Sequence, residues 1–281
     1  MDLEKVHILA PAKINFSLLV EPPREDGLHP ITSKMARITL FDDLELTRLD
    51  DHSLSRYAIL WHDDAPKKAD IDWPVTHDLA VLAHRALEGA VGRSLPLQMK
   101  LEKRIPIGGG LGGGSADAAA MLLGTSELFD LDVDLQEIAL GLGSDVPFLL
   151  SGGAGIVQGV GDVIEQMQHE ETHLVLIIPE YSCSTAAVYE SFDALGCQSK
   201  GVGNDLLLPA CKVESNLQSD MAVLGTLTDL EIHLSGSGST MFIICDNEQR
   251  ATELANEISQ QTNHVAMATQ TYMPQEAMER T

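Results

Sequence analysis

The residues most suited to chemistry form a dense run of glycines that ends where a helix is predicted to begin. Six of the seven residues from 108 to 114 are glycine, and the alanine-rich segment Ser115–Leu123 predicts a helix directly after them. Without Cβ atoms, this backbone can approach a ligand closely and turn its N–H groups toward it. The N-terminus of the helix adds further N–H groups and the positive end of a dipole. The segment therefore predicts an anion-binding loop, most naturally for the phosphates of ATP. The predicted phosphate-binding residues are Pro106, Ile107, Gly108, Gly109, Gly110, Leu111, Gly112, Gly113, Gly114, Ser115 and Ala116.

Other interpretations of the glycine run fit the sequence less well. Gly108 and Gly113 have the spacing of a P-loop, but Gly114 stands where that motif needs the lysine that reaches the phosphates. Gly108, Gly110 and Gly113 also match the dinucleotide-binding spacing, which any dense glycine run produces, and no regular βαβ repeat surrounds them. A flexible linker is the remaining alternative, although linkers seldom combine so many glycines with an immediately following helix.

Three further segments carry polar residues in defined settings. Lys13 and Asn15 alternate with apolar residues on a predicted strand, so both project from the same face. Asp145 lies between a helix that ends at glycine and the sequence Val-Pro-Phe. The segment Leu234–Thr240 is a loop of small residues between two predicted strands, and it is either a plain hairpin or a second loop that approaches a ligand closely. Taken singly, Lys13 and Asn15 fit a surface strand and Asp145 fits a helix cap.

The segment His169–His173 matches the H-E-x-x-H pattern of zinc proteases. That pattern needs a helix to bring both histidines to one face. Here His173 runs directly into the predicted strand Leu174–Ile178, and no third ligand follows. A zinc site is therefore not expected, and no residue is assigned as a metal ligand.

The predicted elements alternate irregularly along the chain. Strands are predicted at His7–Ala10, Ala12–Val20, Ile38–Leu40, Leu44–Thr47, Leu97–Glu102, Gly155–Gln158, Leu174–Ile178, Glu231–Leu234, Met241–Cys245 and His264–Thr269. Helices are predicted at Leu79–Val91, Ser115–Leu123, Asp134–Leu142, Thr185–Leu195 and Glu248–Gln260. Asp50–Val75 is interpreted as hairpins and loops. Because no regular βαβ period appears, the order predicts an α+β fold with a domain boundary near Val160–Gln168.

Composition and net charge exclude several classes of partner and compartment for this chain. The 281 residues are 44% hydrophobic, which is enough for a substantial core. A formal net charge of −24 disfavours nucleic acid and anionic membranes as partners. The four cysteines are widely spaced, and the sequence shows neither a signal peptide nor a run of eighteen apolar residues. These features predict a reduced cytoplasmic protein.

The polar segments occur together in an order that resembles the GHMP family of small-molecule kinases, and the resemblance spans essentially the whole chain. The matching segments are Ala10–Asn15, Asp26–His29, the loop at 108–115, Gly143–Pro147, Asn204–Leu206 and Ser235–Gly238. The Gly-Gly-Gly-Leu-Gly-Gly-Gly-Ser form of the loop is typical of one branch. That branch phosphorylates the 2-hydroxyl of a cytidine-diphosphate-bearing sugar alcohol in the non-mevalonate route to isoprenoids.

The resemblance implies a fold and a catalytic pair. It implies two domains, one over residues 1–160 that resembles ribosomal protein S5 domain 2 and one over residues 161–281 that is ferredoxin-like. ATP, accompanied by Mg²⁺, is expected over the glycine loop. Asp145 is expected to accept the proton of the substrate hydroxyl, while Lys13 lowers the pKa of that hydroxyl and offsets charge on the transferring phosphoryl group. Asp117 is the only carboxylate in this region, so phosphates and Ser115 are expected to hold most of the metal.

The resemblance also implies substrate contacts. They are expected at Asn15, His29, Tyr189, Gly236 and Ser237. An aromatic face at Tyr189 suits base stacking, and the two ring nitrogens of His29 suit the mixed donor and acceptor edge of cytosine.

The chain departs from the branch at two places. Leu28 replaces a tyrosine expected to stack on the base, and Thr76–Leu79 replaces a usual Asn-Leu helix start. Two alternatives remain: another GHMP kinase acting on a mevalonate-like or homoserine-like alcohol, or a nucleotide-binding regulator without catalysis.

Overall fold

The structure, a computed structural model, describes residues 4–199 and 201–273. These residues form two compact units, each assembled from separate stretches of the chain. Unit 1 comprises the described residues up to 12 together with 40–106 and 112–151. Unit 2 comprises residues 13–39 and 107–111 and the described residues from 152 onward. The domain boundary near residue 160 stays a prediction.

The elements are numbered in chain order. Among the described residues the strands are β1 (Lys5–Asn15), β2 (Leu19–Val20), β3 (Ile31–Arg48), β4 (Arg56–Trp61), β5 (Leu97–Lys103), β6 (Ala154–Gly159), β7 (Val163–Met167), β8 (His173–Ile178), β9 (Ile232–Leu234), β10 (Met241–Cys245) and β11 (Val265–Gln270). The helices there are α1 (Leu79–Val91), α2 (Gly113–Phe129), α3 (Leu135–Leu140), α4 (Val146–Ser151), α5 (Thr185–Ala194), α6 (Leu207–Val213), α7 (Ser215–Leu224) and α8 (Glu248–Gln261), with a 3₁₀ turn at Val75–His77.

Unit 1 packs helices against a small sheet. The second half of β3 pairs antiparallel with β5, and β5 pairs parallel with β4. Helix α1 begins where the Asp78 carboxylate accepts the N–H of Ala80, and it ends at Gly92, whose φ is +66°. Helix α2 packs against α1 and α4 and is buried on most of its faces, because most of its residues are small or apolar. The unit thus holds the start of α2 between β5 and its neighbouring helices.

Unit 2 contains two sets of paired strands. The first half of β3 pairs with β2 and with β6, and β6 pairs with β7. A separate antiparallel sheet has the strand order β11-β8-β10-β9. Side chains of α5, α6, α7 and α8 share one hydrophobic core with β8 and β10, including Phe192, Leu217 and Ile258. The α+β prediction is confirmed.

Most of the predicted strands and helices are present, but some differ in extent and others were not predicted. The two strands predicted around Asp42 are one continuous strand, β3, because Asp42 is buried and paired with a lysine rather than placed in a turn. The region interpreted as hairpins and loops contains β4, which pairs in parallel with β5 rather than within a hairpin, and the segment around residue 165 contains β7. Helices α4, α6 and α7 were not predicted. No helix within the described part of the chain has both the length and the apolarity needed to cross a membrane.

Candidate active site

In unit 2, the end of β1 carries the predicted pair Lys13 and Asn15. Both are almost wholly buried, with 4% and 3% of their surface exposed, so an ordinary surface strand is excluded. Lys13 Nζ donates to Asn15 Oδ1 at 2.8 Å, and Asn15 Nδ2 donates to Ser33 Oγ at 2.8 Å. Ser33 in turn donates to the carbonyl oxygen of Ser17 at 2.6 Å. This chain of hydrogen bonds fixes the direction of the ammonium group, as a positioned cation requires.

The part of the glycine loop in unit 2 is held through its carbonyl groups. Three consecutive carbonyl oxygens accept hydrogen bonds from protein donors. These are Lys13 N–H to Leu111 at 2.9 Å, Ser235 Oγ–H to Gly110 at 2.9 Å and Thr240 N–H to Gly109 at 3.1 Å. Because these oxygens face protein donors, they are kept from facing an anion, whose binding they would oppose. The orientation of these carbonyl groups is therefore compatible with a negatively charged ligand at the loop.

The small-residue loop Ser235–Thr240 lies directly against the glycine loop and Lys13. Gly110 has φ +75°, and a Cβ there would overlap the carbonyl oxygen of Ser235. Gly236 has φ +57°, and a Cβ there would lie 3.5 Å from Lys13 Nζ. Asn204 Nδ2 donates to the Gly236 carbonyl at 2.8 Å, which explains the asparagine of the Asn204–Leu206 motif. Within unit 2 the structure thus brings Lys13, Asn15 and Gly236 together.

Ser237 points toward the start of α5. Its hydroxyl lies 2.9 Å from the hydroxyl of Thr185, the first residue of α5. The same helix carries Tyr189 on its next turn. Ser237 of the small-residue loop therefore lies next to the helix that carries Tyr189.

His29 packs on α5 beside Tyr189, and only 7% of its side chain is exposed. The ring centroids of His29 and Tyr189 are 5.0 Å apart. His29 Nδ1 lies 2.9 Å from the carbonyl oxygen of Glu21, which can only accept, so Nδ1 carries a hydrogen. Nε2 lies 3.5 Å from Asp193 Oδ1. The expectation that both ring nitrogens face a base is therefore wrong, because the backbone already occupies one of them.

In unit 1, the remaining loop residues form the start of α2. Gly112 caps the helix with φ +71°, and the first intrahelical bond runs from Ala116 N–H to the Gly112 carbonyl at 2.8 Å. The N–H groups of Gly113, Gly114 and Ser115 precede that bond and have no acceptor within the helix. The helix begins two residues earlier than predicted because a glycine at positive φ starts it. Its first turn presents the donors expected of a phosphate site.

Asp145 immediately precedes α4 in unit 1. Its carbonyl oxygen accepts the N–H of Leu149 at 3.0 Å, so its backbone opens the helix. The residue is half-buried, whereas the Val-Pro-Phe that follows is fully buried. Buried neighbours on its C-terminal side therefore hold the backbone of Asp145 in a firm local setting, as the sequence predicts.

A buried ion cluster in unit 1 was not predicted. Lys103 Nζ donates to Asp42 Oδ2 at 2.6 Å and to Asp117 Oδ2 at 2.5 Å. Burial alone lowers the pKa of Lys103, but the attraction of Asp117 and Asp42 outweighs it and raises that pKa. Burial raises the pKa of Asp117 well above its usual range, despite the opposing effect of Lys103. The sequence did contain a sign, since Asp42 alternates with the apolar residues Leu40 and Leu44 on the buried face of β3.

This cluster bears on the expected metal. Asp117 is fully buried and its Oδ2 is bonded to Lys103, so it does not suit a metal ion held at the phosphates. Among residues 4–199 and 201–273, no group of three or more His, Cys, Asp or Glu side chains is arranged to hold a metal. His173 begins β8, a strand, and its Nε2 lies 3.4 Å from Glu171 Oε1.

Known protein families and curated proteins include relatives of this chain. Residues 78–153 match the model of the GHMP kinase N-terminal domain. A 4-diphosphocytidyl-2-C-methyl-D-erythritol kinase of Citrifermentans bemidjiense is 31% identical over 96% of this chain and 100% of its own. One from a Nocardioides species is 33% identical over 92% of this chain and 95% of its own.

Solved structures give the same result for the fold. The crystal structure of a 4-(cytidine 5'-diphospho)-2C-methyl-D-erythritol kinase covers 95% of this chain and 100% of its own, with a TM-score of 0.76 and 29% identity. The mevalonate kinase of L. major has a TM-score of 0.70 at 12% identity, over 96% of this chain and 97% of its own. That second likeness concerns the fold alone. The predicted fold is confirmed.

Proposed function

The chain belongs to the GHMP kinase family, and on that premise we propose that it transfers the γ-phosphoryl group of ATP to the 2-hydroxyl of 4-diphosphocytidyl-2-C-methyl-D-erythritol. Family membership makes it an ATP-dependent small-molecule kinase. The observation that carries the proposed acceptor is the match, along 96% of this chain and 100% of the relative, to an enzyme of that name. The product is an intermediate of isoprenoid precursor synthesis.

The proposed mechanism assigns one role to each member of the catalytic pair. Asp145 accepts the proton of the 2-hydroxyl, and the freed oxygen attacks the γ-phosphorus of ATP. The bond from that phosphorus to the bridging oxygen breaks, and ADP leaves. Lys13 offsets the negative charge that develops on the attacking oxygen and the moving phosphoryl group. Its buried hydrogen bond to Asn15 supports this role, because a cation already held in position loses little entropy in the reaction.

The phosphates of ATP are proposed to lie against residues 106–116, where the first turn of α2 supplies N–H donors. Mg²⁺ is proposed to bind with the nucleotide and to neutralise charge on its β- and γ-phosphates. Ser115 is the loop side chain proposed to contact this complex. Asp117 is not proposed as a ligand, because Lys103 already binds it.

The acceptor is proposed to bind through its cytosine group at Tyr189 and His29. Tyr189 offers an aromatic face to the base, and stacking of this kind is worth about 1–3 kcal/mol. His29 Nδ1 binds the Glu21 carbonyl, so a contact of His29 with the base is proposed only at Nε2, which also lies 3.5 Å from Asp193 Oδ1. Asn15, Gly236 and Ser237 are proposed to contact the remainder of the acceptor, because they lie beside Lys13 or on the adjoining loop.

The proposed setting is the cytoplasm, with small molecules as the partners. All four cysteines are free thiols, which suits a reducing compartment. The net charge of −24 supports the proposal that nucleic acid and anionic membranes are not partners.

A panel of acceptors tests the proposed function. The purified chain is incubated with MgATP and the cytidine-diphosphate alcohol, its uridine analogue, mevalonate or homoserine, and ADP release is measured. The cytidine compound is expected to give the highest kcat/KM, well above the uridine analogue. Equal kcat/KM for cytosine and uracil would contradict base recognition, and turnover of mevalonate or homoserine alone would favour another GHMP kinase. Calorimetric ATP binding without any turnover would indicate a regulator.

Leu28→Tyr is expected to lower KM for the acceptor and leave kcat nearly unchanged. Leu28 is 53% exposed and adjoins His29, so a larger aromatic side chain fits there and adds a surface for the base. Base binding is equal in ground and transition states, so it changes KM alone. Steady-state kinetics measure both constants. Leu54→Tyr, at an exposed leucine in unit 1, is the matched control, and an equal KM change in both variants would contradict the placement of the base.

A further inference from the structure

The Lys103–Asp42–Asp117 cluster connects the end of β5 to the second turn of α2. Lys103 is the last residue of β5, and Asp117 is the fifth residue of α2. All three side chains are fully or almost fully buried. A buried ammonium group with two hydrogen-bonded carboxyl groups resists displacement, because breaking either bond leaves a buried polar group without its partner.

The same cluster also fixes the chain as it leaves β5. Asp42 Oδ1 accepts the backbone N–H of Ile105 at 2.7 Å and that of Arg104 as well. Ile105 packs against the first residue of α2, where a Cβ added at Gly113 would lie 2.9 Å from Ile105 Cγ2. The start of α2 is therefore held from two sides, by Ile105 at Gly113 and by Lys103 at Asp117.

Asp117 has hydrogen bonding at only one of its two oxygens. Asp42 and Asp117 both bind the same ammonium group, and Asp117 Oδ1 is buried with no hydrogen-bond partner. Hydrogen bonding at Asp117 therefore depends on one oxygen, Oδ2, which binds Lys103. An asparagine at position 117 would keep that oxygen, the Lys103–Asp42 ion pair and the hydrogen bonds of Lys103 to both neighbours.

We propose that this cluster positions the first turn of α2 for the phosphates of ATP, with Asp117 and Lys103 as positioning residues that do not touch the nucleotide. The inference rests on the proposed function, which places those phosphates at the N–H groups of residues 113–115. Donors on a helix start bind an anion well only when their geometry is fixed before binding. A displacement of about 1 Å can cost on the order of 100-fold in a positioned interaction.

Asp117→Leu and Asp117→Asn form a matched pair that tests this inference. Asp117→Asn keeps an oxygen for Lys103, whereas Asp117→Leu fills a similar volume and cuts the link between β5 and α2. Both variants retain the Lys103–Asp42 ion pair, so both are expected to fold. Asp117→Leu is expected to raise the Kd for a non-hydrolysable ATP analogue with Mg²⁺ at least tenfold, while Asp117→Asn stays within about twofold of wild type.

Titration calorimetry measures the Kd for the ATP analogue and, in the same samples, the Kd for the cytidine-diphosphate alcohol. Thermal unfolding checks that each variant is folded. The acceptor Kd is expected to be unchanged, which separates positioning of α2 from general loss of structure. If Asp117→Leu yields no folded protein, Asp117→Ala replaces it with the same expected result. Wild-type protein that binds no nucleotide would overturn the proposed function and this inference with it. Equal nucleotide Kd values for the leucine and asparagine variants, with wild-type binding intact, would overturn the inference alone.

Discussion

Asp145→Asn is expected to lower kcat by about 10²–10⁴-fold while ATP binding and the fold remain intact. The substitution keeps the size and shape of the side chain but removes its ability to accept a proton, and general-base catalysis typically contributes that factor. The backbone role of Asp145 at the start of α4 does not depend on its charge, because the bond from Leu149 N–H uses the carbonyl oxygen. Steady-state kinetics give kcat, and calorimetry gives the Kd for ATP.

Asp134→Asn is the matched control for this prediction. Asp134 is another aspartate at a helix start in unit 1, where its carboxylate accepts the N–H groups of Gln136 and Glu137. Asparagine caps helices about as well as aspartate, so stability and kcat are expected to stay near wild type. A kcat close to wild type in Asp145→Asn would refute the general-base role. A loss of kcat in both variants would indicate a structural cause.

The sequence reveals local features of the site because they depend on neighbours along the chain. The two-residue spacing of Lys13 and Asn15 places them on one face of β1, and their hydrogen bond follows from that spacing. The glycine run and the alanine-rich segment after it indicate a loop at a helix start, and Gly112 at positive φ begins α2. The helix predicted to start at Asp134 is α3, which Asp134 caps, since capping also acts over two or three residues.

Features that depend on distant contacts could not be predicted in the same way. Lys103 bonds Asp42, which is 61 residues away in the chain, so neither residue alone indicates an ion cluster. The hydrogen bond from His29 Nδ1 to the Glu21 carbonyl depends on the fold of the segment between these two residues. From the sequence alone, both ring nitrogens therefore appeared available to bind the base. Helices α6 and α7 have little amphipathic pattern of their own, and the shared core of unit 2 stabilises them.

Gly112→Val is expected to abolish detectable ATP binding while the chain still folds. Gly112 has φ +71°, a conformation that costs residues with a Cβ about 1–2 kcal/mol and suits a β-branched residue least. The side chain would also stand at the N-cap of α2, next to the N–H groups proposed to bind the phosphates. The backbone strain and the loss of space for the phosphates therefore both occur at the start of α2. Calorimetric titration with ATP and Mg²⁺ measures the loss, and thermal unfolding measures stability.

Gly92→Val separates the two causes of that loss. Gly92 has φ +66° and ends α1, and a Cβ there would meet nothing within 4 Å. It therefore imposes a similar backbone strain of about 1–2 kcal/mol away from the loop. Both variants are expected to lose similar thermal stability, but only Gly112→Val is expected to lose nucleotide binding. Unchanged ATP affinity in Gly112→Val would contradict the phosphate site at α2, and equal loss of affinity in both variants would mean that strain alone weakens binding.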